Sequence, residues 1–236
     1  MQTPFDGAIR RRIHLMRHAE AAYRPDDGSP APDPDQVPLT ARGREQAAAM
    51  RDALADLEFD YALCSTLPRT RETATIVLGE RPLQLRVEAR FVELRGPMGG
   101  MADFTPAKLA YSFHEASETS AFLAGGEKFG DFSKRVADGI EHQIATTDFV
   151  SALFVCHGGV NRAVLQWVLG SGPEMLATFE QDNACLNVID IDCDAKTGEI
   201  VRRYVRVVNF TPYDPAKRDI HLTTLEKSAV GYLAGD

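Results

Sequence analysis

Short apolar runs of four to seven residues alternate along this chain with stretches whose apolar positions recur every three or four residues. Ile13–Met16, Tyr61–Cys64, Leu83–Val87, Ala152–Cys156 and Cys185–Ile191 read as strands, and Ile200–Val208 as a longer, half-exposed strand rich in arginine. Between them, Thr40–Leu57 reads as a helix capped by Thr40, with Ala47, Met50, Leu54 and Leu57 on one face. Pro68–Leu78 opens with proline in its first turn, where the missing N–H costs nothing. Thr105–Ser120 and Phe129–Ile144 read as a helical pair joined through Gly125-Gly126, and Gly159–Leu169 as a helix stopped by Gly170-Ser171-Gly172-Pro173. Strand–helix alternation of this kind predicts one α/β domain over residues 1–236: a three-layer sandwich whose mostly parallel central sheet has helices on both faces.

Three segments break the rhythm. Residues 24–38 hold five of the 13 prolines and read as a flap loop; residues 96–126 read as a small cap-like insertion, with Met98 and Met101 near a pocket wall. Residues 209–236 form a polar C-terminal tail with a helical pattern over Leu222–Leu233. Length and a 44% hydrophobic content suit one large domain with a sizeable core. The formal charge of −8 disfavours nucleic acid and anionic membrane as partners, so any anion pocket must be built from local cations against the global field. Cys64, Cys156, Cys185 and Cys193 stand singly, which suggests reduced thiols in a cytoplasmic protein. No apolar stretch approaches 18 residues, so neither a membrane span nor a secretory leader is expected.

Chemistry concentrates where strands end. Arg17-His18-Ala19-Glu20 follows the first strand, and His157-Gly158-Gly159 follows Ala152–Cys156. Neutral imidazole is a nucleophile near pH 7, and a guanidinium fork fits phosphate oxygens. Arg69 stands at another strand-to-helix junction, Ser65-Thr66-Leu67-Pro68-Arg69, where free N–H groups at a helix start also suit an anion. Ligands of open α/β sheets bind beyond the carboxyl ends of the strands, which is where all three segments terminate. Cys156 beside His157 falls within an apolar run and reads as core filler.

With these motifs in order, the chain resembles the histidine phosphatase superfamily, which includes the cofactor-dependent phosphoglycerate mutases. Arg17-His18-Ala19 is similar to its Arg-His-Gly signature, Leu39-Thr40-Ala41-Arg42-Gly43-Arg44-Glu45-Gln46-Ala47 to its helix start, Ser65 through Ala74 to its Ser-x-Leu-x-Arg-x-x-x-Thr-Ala segment, and His157 to Arg162 to its His-Gly-Gly-x-x-Arg. The resemblance implies in-line attack of His18 on phosphorus and a phosphohistidine that water releases. It further implies that Arg17, Arg69, His157 and the Gly158 N–H hold the phosphoryl oxygens, with His157 protonated and Glu93 as acid/base. Glu20 and Glu88 are rivals for the acid, and Arg90 or Arg95 is a competing ion-pair partner for Glu93. Arg24, Asn161 and Arg162 are further substrate-binding candidates, though Arg162 also suits a packing role.

The implied activity is metal- and cofactor-independent hydrolysis of a small phosphorylated metabolite. The alternatives are mutase-type transfer, a protein phosphohistidine phosphatase and a non-catalytic phosphate-binding module. Ala19 replaces the usual glycine, and Ala21-Ala22-Tyr23-Arg24 lacks the polar ligand common there, a place Arg24 is expected to fill. Oligomeric state is open, a homodimer included.

Overall fold

The computed structural model describes residues 2–24, 31–97, 105–218 and 220–233. The chain enters through β1 (Ile9–Arg17), α1 (Ala41–Ala53), β2 (Tyr61–Cys64), α2 (Pro68–Leu78) and β3 (Leu85–Val87). A short α3 (Pro106–Ala110) and a 3-10 turn at Ser112–Glu115 lie between β3 and α4 (Phe129–Thr146). β4 (Ser151–Cys156), α5 (Gly158–Leu169), β5 (Leu186–Cys193), β6 (Ile200–Phe210) and α6 (Thr224–Leu233) complete it. The strands form one sheet in the order β3-β2-β4-β1-β5-β6. β1, β2, β3 and β4 pair in parallel, whereas β5 runs antiparallel to both β1 and β6. The sheet is mixed but mostly parallel.

Alternation along the strands builds two apolar layers. Ile13, Leu15, Leu63, Phe154 and Cys156 face one core, where they meet Phe132, Val136 and Ile140 of α4 and Val160 and Val164 of α5. Met16, Ala62, Cys64, Leu153 and Val155 face the other, with Ala47 and Met50 of α1 and Ala74 and Val77 of α2. Thr40 caps α1, its hydroxyl accepting from Gly43 N at 2.9 Å. Gly43 has no room for a side chain, because a Cβ there would lie 2.1 Å from the Glu20 carbonyl oxygen. Thus the first helix is seated directly on the loop that follows β1.

Several boundaries differ from the sequence expectation. α1 ends at Ala53 rather than Leu57, and Leu57 is exposed. The cause is Arg81, whose guanidinium takes the carbonyls of Leu54, Ala55 and Leu57 at 2.6, 3.2 and 3.4 Å and draws the chain out of the helix. The helix expected over Thr105–Ser120 is only α3 plus the 3-10 turn. Ser112 Oγ bonds the Leu109 carbonyl, Ser117 and Ser120 bond each other's backbone, and these local bonds compete with helix continuation. Phe113 turns inward instead, against Phe122 and Phe129. Met98 and Met101 lie outside the described residues.

β1 begins at Ile9, four residues before the apolar run, because Arg10 and Arg12 find carboxylates on β5. Arg10 pairs with Asp192 and Arg12 with Asp190, both at 2.7 Å, and β6 adds Arg202 to Asp192 and Arg206 to Asp190. Both aspartate side chains are fully buried under these arginines. The Arg10 bond holds Asp192 below the usual carboxylate range; burial pushes Asp190 up, but Arg12 and Arg206 outweigh it and keep it low as well. A depressed folded-state pKa stabilises above the unfolded value of about 3.9 and is lost as pH falls through the lower folded value. We therefore expect Asp192→Ala to cost about 1–3 kcal/mol at pH 7 in chemical denaturation, with the difference from wild type shrinking below about pH 4. A pH-independent difference would contradict this account.

Candidate active site

The register of β1 against β4 sets Arg17 beside Cys156, and His18 N donates to the Cys156 carbonyl at 2.9 Å. The residues that follow each strand end are therefore neighbours. The His18 and His157 rings lie edge to face, with centroids 5.3 Å apart, and both are buried. His18 Nδ1 stands 2.7 Å from the Ala19 carbonyl oxygen, which can only accept, so Nδ1 carries the hydrogen and Nε2 bears the lone pair.

Arg17 arrives from the same strand end. Its Nη1 donates to the Gln181 carbonyl at 2.6 Å, and the Gly158 backbone lies against its guanidinium, where a Cβ would sit 3.4 Å from Nε. Arg69, on the first turn of α2, is buried; it donates to the Pro34 carbonyl at 3.1 Å and lies 5.4 Å from the centre of the Tyr23 ring. Among the described residues, neither Arg17 nor Arg69 has a carboxylate partner. Arg17 Nε, Arg69 Nε and His157 Nδ1 are buried with no hydrogen-bond partner. Buried polar atoms without partners are expensive, and three of them together with two uncompensated cations describe a seat for an anion.

Electrostatics fixes the protonation state of the pair. Burial, then Arg17, Arg69 and His157, push His18 well below its ordinary value of 6.5. Burial, then Arg69, Arg17 and Arg135, do the same to His157. Burial and the neighbouring guanidinium groups thus favour an uncharged His157, whereas the resemblance implied an imidazolium. Its Nε2 lies 2.6 Å from Ser65 Oγ.

Glu93 is brought to the same place. Its Oε2 accepts from Gly159 N at 3.1 Å and its Oε1 from Leu94 N at 2.9 Å, at the amino end of α5. Arg135 supports this segment by donating to the Arg90 and Val92 carbonyls at 2.6 and 3.0 Å. Among the described residues Glu93 has no ion-pair partner; Arg90 pairs with Glu88 instead. Glu20 accepts from the Thr40 hydroxyl and Glu88 caps Arg90 N, so both rivals are engaged in local bonds.

The remaining candidates divide. Asn161 is buried under the site, its amide 3.1 Å from Gln181 Oε1, 3.0 Å from Arg17 N and 3.2 Å from the His157 carbonyl, and so it buttresses both strand ends. Arg162 is buried and spent on Leu176 O and Glu180, stacked over Phe113. The Arg24 side chain runs to Gly231 of α6. All four cysteines are free and buried; burial pushes the Cys156 thiol well up and Cys185 to about 12, which removes them as nucleophiles. Ser65, Tyr23, Gln181 and Arg135 lie at the site although sequence reasoning did not name them as site residues; Ser65 and Arg135 stood within matched motifs, and Gln181 carried no signal.

An open α/β sheet whose strand ends bring together two buried histidines and, among the described residues, two arginines without carboxylate partners defines an anion-binding class of site. The chain belongs to the histidine phosphatase superfamily (branch 1), whose family model matches residues 13–203. It is 31% identical over 185 residues to the adenosylcobalamin/α-ribazole phosphatase of Escherichia coli, covering 77% of this chain and 90% of that one. A broad-specificity phosphatase of Saccharomyces cerevisiae is 30% identical over 173 residues, covering 70% and 73%. The crystal structure of the α-ribazole phosphatase from Shigella flexneri superposes with a TM-score of 0.67 at 27% identity, covering 84% of this chain and 96% of that one.

The depressed histidine pKa values have a sign that can be tested. His18 should stay unprotonated as pH falls through 6.5, so an NMR titration of its ring should show no midpoint there. Both histidines bind protons more readily when unfolded, so stability is complete above about 6.5 and declines as pH drops below it. A His18 midpoint at its ordinary value would refute the dry, cationic environment.

Proposed function

We propose that this protein hydrolyses the phosphomonoester of a small metabolite through a phosphohistidine on His18, with no metal ion required. The observation that carries the reading is the set of unmet donors on Arg17, Arg69 and His157 around a histidine whose Nε2 lone pair is free. The Nε2 lone pair attacks phosphorus, the bond to the leaving oxygen breaks with its electron pair, and that oxygen takes a proton from Glu93. Glu93 then removes a proton from water, which attacks phosphorus and breaks the P–N bond, returning neutral His18 and inorganic phosphate. Arg17, Arg69 and the Gly158 N–H hold the oxygens throughout, supplying the preorganised positive charge that dominates phosphoryl transfer. Hydrolysis rather than transfer is supported by relatives that are named phosphatases.

Purified protein should hydrolyse p-nitrophenyl phosphate in the presence of a chelator, and acid-quenched turnover should trap an acid-labile phosphohistidine. His18→Ala should abolish both; an unchanged rate would overturn the mechanism. Glu93→Gln should slow alkyl phosphates by about 10²-fold, within the range general acid catalysis supplies, and p-nitrophenyl phosphate far less, because that leaving group needs no proton. Gly159→Ala should reproduce the Glu93→Gln pattern, since the added Cβ would lie 2.4 Å from Glu93 Oε1 and must displace the carboxylate. Equal loss on both substrate classes would remove Glu93 from the acid role.

A further inference from the structure

We propose that Ser65 is a positioning residue that fixes His157 as its Nδ1–H tautomer, so that the second histidine serves the phosphoryl group as an uncharged hydrogen-bond donor. The role of that donor rests on the phosphatase reading; the tautomer itself does not.

Ser65 and His157 are both fully buried, and Ser65 Oγ lies 2.6 Å from His157 Nε2. Leu67 N donates to the same Oγ at 3.3 Å, and among the described residues His157 Nε2 is the acceptor within hydrogen-bond reach of that hydroxyl, so the serine hydrogen is directed to Nε2. The serine backbone is held on both sides, with its N–H on the Val155 carbonyl at 3.2 Å and its carbonyl taking the Thr70 hydroxyl at 3.1 Å. An imidazole that accepts at Nε2 carries its hydrogen at Nδ1, the atom that is buried without a partner beside Arg17, Arg69 and His18.

The other two states fit worse. The Nε2–H tautomer would aim a bare lone pair at phosphate oxygens, which repel it. The imidazolium is opposed first by burial and then by Arg69, Arg17 and Arg135, among which it would be a fourth cation. A phosphomonoester carries about two negative charges at pH 7, and two guanidinium groups already match them. A neutral N–H on His157 adds a further directional donor without adding charge beside His18.

The test is a two-bond 1H–15N correlation spectrum of the full chain labelled at histidine, at pH 7, with His157 assigned from the signals missing in His157→Asn. The expected pattern for His157 is one protonated Nδ1 and one bare Nε2. A protonated Nε2, alone or together with Nδ1, overturns the proposal, and this reading needs no variant of Ser65 to fold. Ser65→Ala should release the tautomer, so that an Nε2–H signal appears, and should lower kcat/KM by about 10²-fold, as loss of a preorganised donor does. Retention of a pure Nδ1–H pattern in Ser65→Ala removes Ser65 from the role. If the wild-type pattern is as expected but no phosphomonoester is turned over, the phosphatase reading fails while the tautomer assignment stands.

Discussion

The pairing of β1 with β4 is the constraint on which everything else rests. Arg17 lies opposite Cys156, and the His18 N–H closes onto the Cys156 carbonyl, so the two histidines emerge from adjacent strand ends. Side chains alternate with a period of two, and a slip of one residue would send His18 to the opposite face and exchange both apolar layers. The register is secured along the length of both strands. Ile13, Leu15 and Phe154 are locked into one core and Met16, Leu153 and Val155 into the other, while Arg10 and Arg12 are clamped to the buried carboxylates of β5.

Reactivity follows from how the arginines are partnered. Several with structural roles are neutralised by carboxylates: Arg135 by Glu127, Arg162 by Glu180, Arg44 by Glu72. Arg17 and Arg69 donate to the Gln181 and Pro34 carbonyls, which orient them without cancelling their charge. A chain with a formal charge of −8 thus keeps a small positive pocket by withholding acids from two positions. That pocket, and burial, hold both imidazoles uncharged, which is what a nucleophile at His18 requires.

The layered sheet, its strands and the Arg17, His18, Arg69 and His157 set were legible because each lies where an apolar run meets a polar junction, a strictly local signal. What stayed hidden depends on contacts distant in sequence. Arg81 ends α1 from across the α1–α2 pair, and nothing near Leu57 announces it. The arginine-rich start of β1 looks like a loop until Asp190 and Asp192 are opposite it. For Arg162 the sequence offered both a packing and a ligand role; the partners that settle it on packing, Glu180 and Leu176, are distant in the chain. The burial and neighbouring cations that lower the His157 pKa are likewise tertiary facts that no local motif announces.

The three segments that broke the strand–helix rhythm meet in space, which bears on specificity. Arg24, at the start of the flap, reaches Gly231 of α6; Tyr111, after α3, donates to Glu226 of α6 at 3.2 Å. Thr224 at the start of α6 bonds Glu180, the carboxylate that pairs with Arg162 on α5. Flap, cap and C-terminal helix are thus tied to one another and to the helix that begins beside His157. The family match stops at residue 203, so α6 lies wholly beyond the part of the chain that defines the phosphoryl chemistry. Phosphate oxygens look alike in every monoester, and a pocket built for them cannot choose between alcohols. Discrimination must then come from groups that touch the rest of the substrate rather than its phosphate.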